Sequence, residues 1–520
     1  MAIEINVLTG SSSIGGNKIL MKFDGRNVLF DFGYDYSVDK LYFDSYTNFR
    51  PNRGIHDPLE FGMLPRLGIY RRDMITDDCM AECSGFPHLK IDALFISHAH
   101  MDHFGMAGYL DAGIPFVATP MTLVLMKAII DITSSPGTEA AYMSERECVD
   151  GFFLKASRSA DKVGRKLIST SSPEGLEGFL SSSPLRTKGI IRERCGSLDA
   201  LGFEARCFEV DHSIYGAAAF GVKTSDGWVV YTGDLRTHGI NGPRTEEFAR
   251  EAGKLRPKVL IIEGTRASRL EEVGGVTEAE VERRCLQACT GIDGPIIVDF
   301  GPRNIERLEA FARIASSVGR DLVVTAKDAY LLDAMKCADG EDRFEGIKVL
   351  KLPREQRHGY ESCALSAHEG SVITLQQVCD SQNDHIICFS QYDMPHLLDV
   401  KPRGGLYLYS GSGSFDEEQD HDFERLDNWI RKFGMRRAGF DMVERMSHRG
   451  EPIMVPEFTP GFHASGHASK EVLKQLVETI RPEYLIPVHT QNPRFFVENI
   501  SCVPSENILL PEDGKSMIIS

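Results

Sequence analysis

The sequence predicts an α/β fold built in more than one unit, and three observations carry that reading. Residues 1–33 read as three paired strands, Ile3–Leu8, Lys18–Phe23 and Val28–Phe32, separated by turn residues. A further apolar run, Ala93–Ile96, has the length of a buried strand and opens directly onto a histidine cluster. Between residues 266 and 452, short apolar runs alternate with helical patterns, which predicts a parallel sheet flanked by helices. At 520 residues the chain is too long for one core and suggests two or three units.

Taken in order, the first two strands are joined through Gly10–Gly16, a glycine- and serine-rich turn. It reads as a hairpin connection and not a phosphate loop, because no helix carrying Lys-Ser/Thr follows. Asp31 closes the third strand, where a carboxylate commonly caps a turn. Residues 34–90, rich in Tyr and Phe, read as a locally packed loop region, with a substrate lid as the functional alternative. Pro115–Ala118 is predicted as a strand and Met121–Ile132 as a helix.

Residues 133–200 form a serine-rich insertion. From Lys155 to Arg194 it carries nine Lys/Arg and four Asp/Glu, a local charge of +5 in a chain of −17. It reads either as a solvated insertion or as a basic arm along the path of a polyanionic substrate. Three strands follow, each with a polar residue at its carboxyl end: Phe203–Val210 before Asp211-His212, Trp228–Gly233 before Asp234, and Val259–Ile262 before Glu263. After the alternating region, Lys470–Thr479 reads as a helix and Tyr484–Val488 as a strand ending in His489. Asn507–Leu510 and Met517–Ile519 read as a closing hairpin.

Composition narrows the class. A net charge of −17 argues against a protein that coats nucleic acid, but not against an enzyme that grips a few phosphates in a cleft. No segment approaches the ~20 apolar residues of a membrane span, and the N-terminus lacks the pattern of a signal peptide. The twelve cysteines contain no C-x-x-C pair and read as reduced thiols of a cytoplasmic protein.

The chemistry concentrates in His98-Ala99-His100-Met101-Asp102-His103. In an extended segment His98 and His100 project to the same side, because side chains alternate with period two. A turn after His100 can then carry Asp102 and His103 to a second centre nearby. Three imidazoles and a carboxylate in six residues suit zinc or a related first-row metal better than magnesium or calcium.

The H-x-H-x-D-H string resembles the signature of the metallo-β-lactamase superfamily. Asp31, His212, Asp234, Glu263, His467 and His489 follow in the order that its β-CASP branch, and ribonuclease J within it, would place them. The resemblance implies a metallo-β-lactamase αββα sandwich with an inserted β-CASP α/β domain. The expected division is 1–265 for the first part of the sandwich, 266–452 for the insertion and 453–520 for the closing part. It implies two zinc ions, with manganese as the alternative: one held by His98, His100 and His212, the other by Asp102, His103 and His489, with Asp234 bridging. Asp31 would orient the metal loop.

The activity implied is hydrolysis of RNA phosphodiester bonds by a metal-activated hydroxide, with RNA as partner. In the β-CASP group a histidine at the place of His489 marks enzymes that act on RNA. His467, assisted by Glu263, would contact the scissile phosphate or protonate the leaving oxygen. His463, Ser465 and Arg303 would hold substrate phosphate, Arg303 at a helix start in Gly301-Pro302-Arg303-Asn304. The sequence departs from ribonuclease J in two places, with Thr490-Gln491-Asn492-Pro493 after His489 and Ser410–Ser414 where that family has Gly-Ser-Gln-Gly-Glu. Residues 490–520 leave no room for the family's separate C-terminal domain, so a homo-oligomer would assemble through other surfaces. A DNA nuclease of the same fold and a hydrolase of small esters or thioesters are the alternative readings.

Overall fold

The computed structural model describes residues 2–520 except 45, 134, 157–160, 185–188, 269–274, 412–422 and 447–451. Two sheets face each other across one apolar layer. The first has the order Leu167–Ser169, Phe116–Ala118, Ala93–Phe95, Arg26–Phe30, Lys18–Phe23, Ile3–Thr9, Ser516–Ile519. The second has the order Ala205–Glu209, Ala218–Thr224, Gly227–Tyr231, Val259–Glu263, Tyr484–Val488. Ile5, Ile19, Phe30 and Phe95 of the first meet Phe220, Val229, Ile261 and Ile486 of the second. The alternation along Ile3–Thr9, buried at every second residue, is what one sheet face turned to this layer requires. Helices cover the outer faces: Pro120–Thr133 lies on the first sheet's side, and Gly242–Lys254 with Lys470–Ile480 on the second's.

A third sheet is wholly parallel, in the order Val372–Thr374, Ile347–Lys351, Asp321–Val324, His385–Cys388, Ile296–Asp299, Leu406–Tyr409, Arg436–Ala438. Its central strands are buried throughout, as expected when helices cover both faces. The chain leaves the sandwich at Glu263 and returns so that Val488 pairs beside Glu263, which sets this sheet between two neighbouring sandwich strands. The α/β fold with its sandwich and inserted parallel sheet agrees with the sequence expectation.

Three local expectations meet the structure with different outcomes. The closing hairpin does not form: Ile508 bridges Leu485 of the second sheet, while Ser516–Ile519 pairs with Ile3–Thr9 at the edge of the first. Each arm covers an open strand edge on a different sheet, a stronger demand than pairing with each other.

The aromatic segment 34–90 is packed locally, with Phe43, Phe49 and Phe61 within 4.2–5.9 Å of one another by ring centroid. In the basic insertion, Arg165 is buried and donates to the carbonyls of Gly108, Leu110 and Glu139. Arg192 pairs with Glu177 at 2.5 Å. Part of the positive charge is therefore structural, and Arg158, Arg186 and Lys188, like Ser134 and Ser412–Ser414, lie outside the described residues. Among the described residues no helix is long and apolar enough to cross a membrane.

Candidate metal centre

The site forms where strand ends of the two sandwich sheets converge. Ala93–Phe95 delivers Ser97, His98 and His100, and the short helix Met101–Phe104 turns Asp102 and His103 inward. His212 follows Ala205–Glu209, Asp234 follows Gly227–Tyr231, and His489 follows Tyr484–Val488. Asp31 and His489 both sit at positive φ, +54° and +53°, an uncommon conformation for non-glycine residues. Both therefore mark places where the backbone is bent to aim a side chain.

Two groups of donors assemble. His98 Nε2 and His212 Nε2 each stand 3.1 Å from His100 Nδ1. Asp102, His103, Asp234 and His489 form the second group, and within each group the ligand atoms lie within 4.8 Å of one another. Asp234 lies between them. Its Oδ2 is 2.9 Å from His103 Nε2, 3.9 Å from His98 Nε2 and 4.0 Å from His212 Nε2, and its Oδ1 accepts from His489 Nδ1 at 2.7 Å.

The outer nitrogens are fixed by partners, which sets each tautomer. His103 Nδ1 donates to Asp31 at 2.7 Å, His212 Nδ1 to the Gly466 carbonyl at 2.6 Å, and His98 Nδ1 to Ser97 Oγ at 3.0 Å. Asp31 also accepts from Ser97 N, Ser97 Oγ and the Tyr231 hydroxyl at 2.6–2.8 Å. A carboxylate holding the far side of an inward-facing imidazole is the usual support of a metal ligand.

Burial pulls His98 and His212 well below the ordinary imidazole range, and neighbouring imidazoles add to the effect, so their inner nitrogens carry lone pairs. Burial also acts on His103, but the charges of Asp234, Asp102 and Asp31 outweigh it and hold that ring well above its usual value. His489 is lowered by burial, yet Asp234 lifts it to about 9. Asp102 and Asp234, despite burial, are kept well below the carboxylate range by the facing imidazoles.

These donors fit divalent metal. His103 Nε2 and His489 Nε2 are buried and form no hydrogen bond among the described residues, and both face carboxylate oxygens. Three imidazole nitrogens converging on one point, and two more beside two carboxylates, form a nitrogen-and-oxygen donor set of the kind zinc takes.

The remaining predicted residues divide. His467 joins the centre: its Nδ1 lies 3.3 Å from Glu263 Oε1 and 3.8 Å from Asp234 Oδ2. Glu263 in turn accepts from the amides of Leu235 and Thr265. Ser465 Oγ accepts from the His467 amide. His463 is turned away, donating Nε2 to the Gly439 carbonyl and packing on Phe458 and Tyr409; burial lowers it to about 4. Arg303 lies at the parallel sheet, on a separate cavity.

Sequence reasoning did not single out Ser97, Tyr231 or Arg236. Buried Arg236 pairs with Asp211 at 3.2 Å, Glu278 at 2.8 Å and Glu306 at 2.5 Å, tying the loop before His212 to two helices of the inserted unit. Only its place two residues after Asp234 offered a signal. A cleft of about 1140 Å³ between the sandwich and the inserted unit has His212 in its wall.

Comparison with known proteins agrees with this arrangement. Residues 461–494 match the family described as Zn-dependent metallo-hydrolase RNA specificity domain. Ribonuclease J of Pyrococcus abyssi is 23% identical over 501 residues, covering 94% of this chain and 89% of the relative. Ribonuclease J of Synechocystis is 21% identical over 533 residues, covering 99% of this chain and 65% of the relative. A solved structure of a protein of unknown function from Enterococcus faecalis V583 matches 100% of both chains with a TM-score of 0.64 at 20% identity, which shows a shared fold. In motif order, fold and relatives the chain is similar to ribonuclease J, of the β-CASP branch of the metallo-β-lactamase superfamily.

Proposed function

We propose that the protein is a metal-dependent ribonuclease that hydrolyses RNA phosphodiester bonds in the cytoplasm with two zinc or manganese ions. The observation that carries this reading is the pair of adjoining donor groups with Asp234 between them, next to a histidine backed by a carboxylate. His98, His100 and His212 would hold one ion and Asp102, His103 and His489 the other, with Asp234 between. Bound there, a pair of divalent ions polarises a phosphoryl oxygen and lowers the pKa of water towards ~7.

The chain's own residues orient the reaction. Asp31 fixes the tautomer of His103, and the Gly466 carbonyl fixes that of His212. Glu263 accepts a hydrogen bond from Nδ1–H of His467 and so orients the ring; protonated at Nε2 as well, the imidazolium would meet the phosphate and hand its Nε2 proton to the leaving oxygen. Ser465 tethers the His467 backbone and would add a hydroxyl to the phosphate's surroundings. The ribonuclease names of the relatives support RNA as the substrate class.

The test is cleavage of a 5′-labelled single-stranded RNA beside the same sequence as DNA, with zinc or manganese, and with chelator as control. Chelator-sensitive cleavage of RNA is expected, and mononucleotides against a ladder separate exonucleolytic from endonucleolytic cutting. Cleavage of DNA alone, or of neither polymer by protein carrying two ions, would overturn the substrate assignment.

A further inference from the structure

A second cavity, of about 330 Å³, opens at the carboxyl edge of the parallel sheet, apart from the donor groups. Its walls come from the ends of Ile296–Asp299, Asp321–Val324 and His385–Cys388. These three strands are neighbours in space, but the chain leaves them toward opposite faces. Helix Ile305–Ser317 follows the first and Ala326–Asp339 the second, and both pack on one face of the sheet. The connection after His385–Cys388 runs through Leu397–Val400, on the other face. The crossovers part here, so a crevice opens outside the strand ends, the place where open α/β sheets take ligands.

The crevice has a consistent chemistry. Arg303, Lys327, Arg354 and Arg357 line it, in a chain whose net charge is −17. The carboxylates that share the lining are engaged in helix starts. Asp328 caps Thr325 at the start of Ala326–Asp339, Glu361 accepts from the His358 amide at the start of Gly359–Ala367 and pairs with Arg354 at 3.1 Å, and Asp393 caps Ser390. Two helix N-termini therefore point partial positive charge at the same opening. The floor is apolar and partly aromatic, with Phe300 and Phe389, and Tyr392 stands at the cavity 73% exposed. A cationic rim excludes a metal ion, and an aromatic floor offers nothing to inorganic phosphate. A flat heteroaromatic base carrying a phosphate satisfies both.

We propose that this crevice is a nucleotide site, binding a nucleoside 5′-phosphate unit with its base against the aromatic wall and its phosphate on Lys327 and Arg357. The unit comes either as a free mononucleotide or as an unpaired nucleotide of an RNA strand; the chemistry recognised is the same. The proposal does not rest on the ribonuclease reading, since none of the residues lining the cavity belongs to the donor groups.

The test is equilibrium dialysis of the full-length, metal-loaded protein with labelled 5′-AMP, with adenosine and inorganic phosphate as comparators. A 2′-O-methyl RNA 12-mer, which resists cleavage, supplies the strand. Lys327→Ala/Arg357→Ala should weaken 5′-AMP about tenfold or more, with phosphate and adenosine each binding far more weakly, while Asp102→Ala leaves 5′-AMP binding within about twofold. Tyr392→Ala should weaken it and Tyr392→Phe should not, because stacking needs the ring and not the hydroxyl. If only the 12-mer loses affinity in the double variant, the nucleotide belongs to a strand. If neither ligand responds to the double variant while its unfolding midpoint equals wild type, or if Asp102→Ala alone abolishes 5′-AMP binding, the crevice is not a nucleotide site.

Discussion

Asp234 in the sandwich and Asp299 in the parallel sheet stand at comparable places, at or just past the carboxyl end of a buried strand, 2% and 1% exposed. Their charge states diverge because their neighbours differ. Burial raises both, but the imidazoles around Asp234 overcome it and keep that carboxylate well below its usual range. Asp299 accepts from the Tyr407 hydroxyl at 2.5 Å and from the Gln391 backbone, which do not offset burial and the nearby Asp393 charge, and its carboxyl rises to about 7. Burial alone makes a carboxylate reluctant to ionise; burial among imidazoles keeps it ionised, as holding a metal would require. The same contrast separates the two sites. The donor groups are buried and held from several distant segments, whereas the crevice at the parallel sheet relies on longer cations and local helix starts.

The largest effect expected from breaking the first side of this contrast is at a donor. Asp102→Ala should reduce RNA cleavage to background and lower the bound metal, read by elemental analysis, with the circular dichroism spectrum unchanged. Full activity in that variant would sink the ligand assignment.

Next is Glu263→Gln, which removes the carboxylate behind His467 but leaves the donor groups intact. A loss in kcat of about 10²-fold or more with unchanged metal content is expected, the scale of general acid–base assistance. A fall in metal content equal to the fall in rate would instead make Glu263 a support of the donors.

Asp31→Asn tests the support of His103. It should cost about 10–100-fold in metal affinity, as removing the partner behind a ligating imidazole does. Competition with a metal-indicator dye reads this directly, and an unchanged affinity would show that Ser97 and Tyr231 suffice.

The smallest effect is on the parallel-sheet side, in stability. A carboxyl raised in the folded state contributes stability that is full below the ordinary aspartate value of 3.8 and is lost as pH rises through about 7. Asp299→Asn removes that dependence, so its urea midpoint should exceed wild type at about pH 8 and approach it near about pH 4. A variant destabilised equally at both would show that the Tyr407 contact, not ionisation, is what matters there.

Much of the site was legible before the structure, for a local reason. His98, His100, Asp102 and His103 lie within six residues, so strand periodicity and one turn suffice to place them. Asp31, His212, Asp234 and His489 each end a strand, a position recognisable in the sequence although their meeting point is not. Tyr231, whose hydroxyl bonds Asp31 200 residues earlier in the chain, looked like one more core aromatic. Arg236 looked like a surface charge, and is fully buried among three carboxylates from separate elements. His463 lay in the same short motif as His467, yet the backbone turns it to Gly439.

What the sequence determined by itself was therefore element type, the alternation that makes the inserted sheet parallel, and the identity of the donor atoms. These follow from stereochemistry within a few residues. The tertiary structure alone decided which nitrogen of each imidazole faces inward, which carboxylates stay ionised, and where the crossovers part to open the second cavity. Those depend on contacts of a few ångströms between segments hundreds of residues apart, where burial and charge act together.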